Sequence, residues 1–298
     1  MNDAIYQPFP IPTSARGHVW RHAPATTRPR HFHAESEFNW VAAGGASFGM
    51  GEKVLSVSAG DLLWWPPGID HVLLDASSDL DLFVIGVTPE FSLRALSNGG
   101  ELRCEDRVQS RLPPCEFARW RDLCAAPINP GNVPAIEARV GDLWREAHAC
   151  RTTSPSVHAV TRRTMLSLRR STELTRDDVA RMVGAHPSEL SRHFHKDMGL
   201  TLTGYRTRLR LLRFIQAVDD GADNWLAAAL DAGFGSYSQC HRSFQQVLGC
   251  MPRAFFGTAT RVEMQDAFSS LREFPRSSDP EFPQNAKTKC RADVNFAA

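Results

Sequence analysis

Residues 226–252 read LAAALDAGFGSYSQCHRSFQQVLGCMP. A run rich in small residues reaches Gly233-Phe234, where a glycine suits the left-handed turn that ends a helix. A second run carries Arg242 and Phe244 and closes at Gly249 and Pro252. The pattern predicts two short helices across a tight turn, the outline of a helix-turn-helix. A second copy lies upstream. Thr175 sits before Asp177 and Asp178, an N-cap followed by two acids in the first turn. Val179, Ala180 and Val183 mark one helix, Gly184-Ala185-His186 the turn, and Pro187 the first position of the next helix. Leu190 and Phe194 share a face of that helix, which ends near Gly199. The units span about 177–199 and 224–249, and a helix from about Thr203 to Val218 joins them.

This doubled layout resembles the DNA-binding domain of AraC-type transcription regulators, from about Val157 to Phe256. The matching residues are Ala180, Leu190, Phe194, Gly199, Tyr205 and Arg210 in the first part. In the second they are Ala229, Gly233-Phe234, Ser236, Phe244, Gly249 and Pro252. Three positions depart from the family pattern: His186 replaces a small hydroxyl N-cap, Phe214 replaces alanine, and Cys240 replaces a larger apolar residue. With Leu190 and Phe194 inward, Ser188, Ser191 and Arg192 face outward. With Cys240 and Phe244 inward, Tyr237, Ser238, Gln239 and Arg242 do so. The resemblance assigns base contact to these positions, and arginine, glutamine and serine suit base edges. Lys196, Arg206, Arg208 and Arg210 are candidates for phosphate, although Arg210 also fits pairing within the domain. Between Pro155 and Arg261 there are 15 Lys and Arg against 9 Asp and Glu, a net of +6, while the remainder carries −5. A basic half beside an acidic half fits nucleic-acid binding in the former.

The segment from Arg30 to Val87 alternates polar and apolar residues between glycine and proline breaks and reads as strands. Within it, His31-Phe32-His33-Ala34-Glu35-Ser36-Glu37 precedes Gly44 by six residues. Gly60, five residues, Pro66-Pro67-Gly68, two residues and His71 follow. These spacings resemble both cupin motifs, with Asp75 where the second often has asparagine. Strand alternation puts 31, 33 and 37 on one face, and the Pro-Pro-Gly turn brings in His71. Three imidazoles and a carboxylate suit Fe, Mn, Ni, Cu or Zn, so a divalent transition metal is a candidate cofactor. Cupin-like sensor domains also keep such fragments without metal, His31 and His33 then hydrogen-bonding an organic effector. Trp40, Phe48, Trp64 and Trp65 are candidates to line the pocket or to fill the core.

The fold class expected is α+β with two domains. A cupin-like β-barrel sensor covers 1–100, a helical connector 101–155, and an all-α double helix-turn-helix 156–260. A polar tail, 261–298, reads as disordered. The apolar stripe of Pro134–Arg151 fits either pairing with a second chain or packing on its own barrel. The N-terminus lacks the features of a signal peptide, and no apolar run reaches membrane-span length. Seven cysteines at 104, 115, 124, 150, 240, 250 and 290 form no CxxC. A cytoplasmic location fits that usage.

The resulting expectation is a transcription regulator, not an enzyme, that binds double-stranded promoter DNA and a small-molecule effector. RNA polymerase and a second copy of the chain are further candidate partners, and no membrane is. Two alternatives belong to other classes. One is a metal-dependent cupin enzyme carrying a DNA-binding domain. The other is a thiol-based redox regulator acting through Cys104, Cys115, Cys124 or Cys150.

Overall fold

The computed structural model describes residues 5–9, 11, 15–22, 29–92, 108–126, 132–150, 157–257 and 271–272. The N-terminal half is built of strands β1 (Ile5–Tyr6), β2 (Gly17–His22), β3 (His31–Phe32), β4 (Ser36–Ala43) and β5 (Gly45–Met50). They continue as β6 (Lys53–Ser58), β7 (Asp61–Trp65), β8 (His71–Ala76), β9 (Asp81–Val87) and β10 (Gln109–Arg111). One sheet has the order β1-β3-β8-β5-β6. The other has the order β10-β7-β4-β9-β2-β11, its edge strand β11 being Leu271–Arg272. Those two residues of the expected tail pair antiparallel with Arg21 and His22. The other tail residues, Cys104 and Cys290 lie outside the described residues.

Alternation decides which side chains meet. On β4, Glu37, Asn39 and Val41 share one face while Phe38 and Trp40 take the other. Val41, Leu63 and Trp65 join the core between the sheets. Phe38, Trp40, Leu62 and Trp64 join a separate core on the outer face of the second sheet. That face is covered by α1 (Phe117–Ala125) and α2 (Val133–Ala149). Trp144 on α2 meets Trp64 edge-on at 5.3 Å, and Trp120 on α1 meets Trp40 at 5.7 Å. Trp40 and Trp64 are therefore packing residues under the helices, whereas Phe48 and Trp65 lie on the inner side. The α2 stripe of Ile136, Val140, Leu143 and Trp144 is buried against its own sheet, so that stripe is not free to pair with a second chain.

The C-terminal half contains α3 (Ala159–Arg170), α4 (Arg176–Val183), α5 (Pro187–Met198), α6 (Leu202–Asp219), α7 (Trp225–Asp231), α8 (Tyr237–Leu248) and α9 (Pro252–Phe255). Thr175 and Asp178 close a reciprocal capping box at the start of α4. Helices α4–α5 and α7–α8 are the two helix-turn-helix units, joined by α6. Two of the sequence departures are absorbed by this core. Phe214, fully buried, sits among Trp225, Tyr237, Phe244 and Phe256 at centroid distances of 6.1–6.5 Å. Cys240 is also fully buried. The third departure, His186, does supply a cap, its ring Nδ1 accepting from Ser188 N at 3.4 Å.

The halves share one apolar core, in which Tyr6 and Phe32 run into the helices. Tyr6 meets Phe255 at 5.9 Å, and the Arg208 guanidinium lies 4.9 Å over the Phe32 ring. Because Tyr6 and Phe32 face the helices, strand parity turns His31 the other way, into the barrel.

Candidate metal centre and nucleic-acid interface

His31, His33, Glu37 and His71 converge inside the barrel. All four are buried, and one donor atom from each lies within 4.8 Å of the others. They do not come from one continuous strand. His31 lies on β3, Glu37 on β4, and residues 33–35 form a bend between them. The bend is held by the site itself, since His33 Nδ1 meets Glu35 O at 3.0 Å. His71 opens β8 and is the direct cross-strand partner of His31, with ring centroids 4.4 Å apart. Gly68 of the Pro-Pro-Gly turn donates its N–H to His33 O at 2.9 Å, which fixes the two motifs to each other. Trp65 stacks on the His71 ring at 4.7 Å, and Phe9 meets His33 edge-on at 4.7 Å.

Every imidazole has its Nδ1 at a main-chain carbonyl: Pro29 O at 2.8 Å, Glu35 O at 3.0 Å and Ile69 O at 3.3 Å. A carbonyl only accepts, so each Nδ1 carries the proton, and a neutral ring then offers its Nε2 as an acceptor or ligand atom. Yet His33 Nε2 and His71 Nε2 lie 2.9 Å and 3.0 Å from Glu37 Oε2. The His33 contact is a hydrogen bond, whereas His71 Nε2 makes none to that oxygen. A proton on a ring or on Glu37, or a metal ion bound by the group, satisfies such a cluster. Burial opposes ionisation of Glu37, but His71 and His33 outweigh it and hold the carboxyl well below the usual range. Nearby Glu35 is pushed up by burial, with His33 opposing.

In the helical half, Ser188, Arg192 and Lys196 on α5 are exposed, as are Ser238, Gln239 and Arg242 on α8. Ser191 is half-buried and donates its hydroxyl to Pro187 O at 2.9 Å. Tyr237 is half-buried against Phe214. Gln239 Oε1 accepts from Gly235 N at 2.8 Å, which leaves its amide nitrogen facing out.

The expected phosphate contacts need correction. Arg208 is buried and ion-paired with Asp70 of the barrel, so it cannot reach a phosphate. Arg210 donates Nε to Thr172 O at 2.9 Å, the within-domain alternative. Arg206 donates Nη1 to Leu174 O at 3.0 Å and keeps only partial exposure. Sequence reasoning missed Asp70, which is fully buried and also meets Arg30 at 2.8 Å. Its one legible signal is an acid immediately before His71.

Burial pushes the Cys150 thiol up to about 11 and the Cys240 thiol up to about 12. Cys124 is raised further, so two of the four connector cysteines, Cys124 and Cys150, lack the low-pKa character of a redox sensor. Cys115 is exposed.

Residues 18–86 match the family model of the cupin domain, and residues 179–258 match that of a helix-turn-helix domain. A comparison with curated proteins finds no match. Among solved structures, unsaturated fatty acid-bound ToxT from Vibrio cholerae is 13% identical, over 81% of this chain and 95% of that one, with a TM-score of 0.41. The C-terminal domain of AraT, a response regulator from Geobacillus stearothermophilus, is 16% identical over 42% of this chain and 95% of that one, with a TM-score of 0.32. The AraC-like transcriptional activator CuxR is 14% identical over 73% of this chain and 78% of that one, with a TM-score of 0.31. At these scores the likenesses carry no argument about ligand or mechanism. Among the described residues, no helix is long and apolar enough to cross a membrane.

Proposed function

From the premise that this chain joins a cupin domain to a helix-turn-helix domain in the AraC-type arrangement, we propose that it regulates transcription in response to a divalent transition metal held by His31, His33, Glu37 and His71. The observation that carries the metal reading is the orientation of the imidazoles. Three Nδ1 atoms are pinned to carbonyls, and the Nε2 atoms of His33 and His71 lie 2.9 Å and 3.0 Å from one Glu37 carboxylate oxygen in a buried site, His71 Nε2 without a hydrogen bond to it. Two imidazolium ions there would be like charges with rings 5.2 Å apart, removed from water. One cation in place of both protons relieves that repulsion and can be bound by all four groups. The metal would supply charge and open coordination positions for an oxygen or nitrogen donor. The main-chain carbonyls fix ring orientation, and Trp65 and Phe9 close the site from solvent.

DNA contact is assigned to Ser188, Ser191, Arg192 and Lys196 on α5 and to Tyr237, Ser238, Gln239 and Arg242 on α8. Metal binding favours one arrangement of the barrel and thereby biases the DNA-competent state. RNA polymerase is the partner expected if the output is activation.

Elemental analysis after exposure to Mn(II), Fe(II), Ni(II), Cu(II) or Zn(II), one at a time, tests the reading. One ion per chain is expected, lost in His33→Ala and His71→Ala and on chelation. Chains that stay metal-free with every ion would overturn it, and thermal stabilisation by an organic compound would then mark the other effector class. Oxygen uptake by the loaded protein, with no change in DNA affinity, would favour the enzyme alternative.

A further inference from the structure

Two of the four tetrad residues have charged neighbours in the chain, and those neighbours meet. Arg30 precedes His31, Asp70 precedes His71, and Arg30 Nη1 contacts Asp70 Oδ2 at 2.8 Å. The other carboxylate oxygen of Asp70 is paired with Arg208 of α6. Arg208 also donates to Gly68 O at 3.2 Å, in the turn that delivers His71. Arg30 in turn donates to Gly51 O at 3.0 Å. The Gly51-Glu52 turn docks on the end of α5, where Glu52 N donates to Gly199 O at 3.2 Å and Lys53 Nζ to Asp197 O at 2.8 Å. A continuous polar path therefore runs from the tetrad strands to both helices of the DNA-binding half that flank Gly199. Among the described residues Asp70 joins its two arms, and it is fully buried.

We propose that Asp70 is the positioning residue that transmits occupancy of the tetrad to the first helix-turn-helix unit, through Arg208 to α6 and through Arg30 to the α5 terminus. The proposal rests on the tetrad being the effector site. A buried carboxylate shared by two arginines has few acceptable geometries, because an unpaired charge there is costly. The backbone of residues 30–31 and 70–71 is common to the tetrad and to this junction. When the four ligands close on an ion, Asp70 and Arg30 move with them, and the arginine partners must follow or lose their pairing. Packed elements of this kind respond by switching between discrete arrangements.

The test uses full-length wild type, Asp70→Asn, Arg208→Gln and Arg208→Lys, with each of the five ions added singly. Three quantities are read: ion uptake, amide exchange across 187–219, and affinity for a duplex that the wild type selects from a randomised pool. In the wild type, ion uptake should slow exchange in α6 and at the end of α5 and shift DNA affinity by about 5–150-fold. Asp70→Asn and Arg208→Gln should take up the ion normally, yet show no exchange response and a shift below about twofold on the same scale. Arg208→Lys keeps the charge and should recover part of the response. If Asp70→Asn fails to fold, the two Arg208 variants carry the test. Asp70→Asn or Arg208→Gln with normal uptake and a wild-type shift would overturn the proposal. So would wild type that binds the ion without an exchange response, or loss of uptake in both Asp70→Asn and Arg208→Gln. Wild type that takes up no ion would instead overturn the tetrad reading itself, and the transmission with it.

Discussion

The two recognition helices end differently. Helix α5 terminates in Gly199 under the barrel: Gly199 O and Asp197 O are both taken by the Gly51–Lys53 hairpin. Lys53 there places a cation at a helix C-terminus, where the dipole favours it. Helix α8 terminates in Gly249, with no other group within 4 Å of where a Cβ would stand. The second unit meets the barrel through apolar packing of Tyr6 on Phe255. The beginnings differ too. Ser236 Oγ caps α8 by accepting from Gln239 N at 3.1 Å, while His186 caps α5 with a longer 3.4 Å contact. The unit with the longer cap contact is the one whose recognition helix ends on the barrel hairpin.

The largest effect separating the units should come from their C-terminal glycines. Gly199 and Gly249 have φ of 64° and 72°, so alanine is strained at both. That alone costs about 1–2 kcal/mol. At Gly199 the added Cβ would also lie 2.8 Å from Glu52 N and from Met50 O, both backbone atoms that cannot swing away. Gly199→Ala should therefore cost about 2–5 kcal/mol, the sum of strain and overpacking. Gly249→Ala should cost only the strain. Denaturant unfolding of the full chain measures both, and equal losses would show that the hairpin does not grip α5 in solution.

A smaller effect concerns base recognition. Arg192 and Arg242 occupy corresponding exposed places on α5 and α8. Each alanine substitution should cost about 1–3 kcal/mol of discrimination at one base pair. Their dependence on the sensor should differ. The Arg192 contribution should change when ion is added, because α5 is tied to the barrel, whereas that of Arg242 should not. Binding to duplexes altered one base pair at a time reads both. Uniform weakening on specific and random DNA would reassign the arginines to phosphate.

The contrast between units was only partly legible in the sequence. Glycine positions, capping residues and apolar spacing gave both helix pairs, because those signals are local. The tetrad was legible for a different reason: its spacing matches the cupin motifs, and the four residues converge although residues 33–35 leave the extended strand that the parity argument assumed. Arg208 was misread as a phosphate contact. It stands three residues after Tyr205 and four before Leu212, both buried, so helical periodicity already placed it on the inner face. An arginine at such a position demands a buried anion, but nothing local names Asp70, 138 residues away. Trp64 and Trp65 show the same limit. Adjacent strand residues face opposite ways, so only one of the two could line the barrel, and the sequence does not say which sheet face is covered by helices.

The smallest effect should come from the caps. His186 meets Ser188 N from a ring nitrogen at 3.4 Å, near the limit of a hydrogen bond, and its Nδ1 also contacts Ser188 Oγ at 2.7 Å. Serine is a preferred N-cap because its hydroxyl sits close enough to accept from the first-turn N–H groups, as Ser236 does on α8. The His186 ring is exposed, so its removal sacrifices little packing. His186→Ser should therefore stabilise the full chain by about 0.5–1 kcal/mol, while Ser236→Ala should destabilise it by about 1 kcal/mol. A better-capped α5 leans less on the hairpin, so the ion-dependent shift in DNA affinity should shrink in His186→Ser and stay at the wild-type value in Ser236→Ala. Thermal unfolding and duplex binding, with and without ion, measure both halves of that statement. If His186→Ser destabilised the chain or left the ion response unchanged, the weak cap would not be what makes the first unit depend on the sensor, and the difference between the helix ends would rest on the hairpin contacts alone.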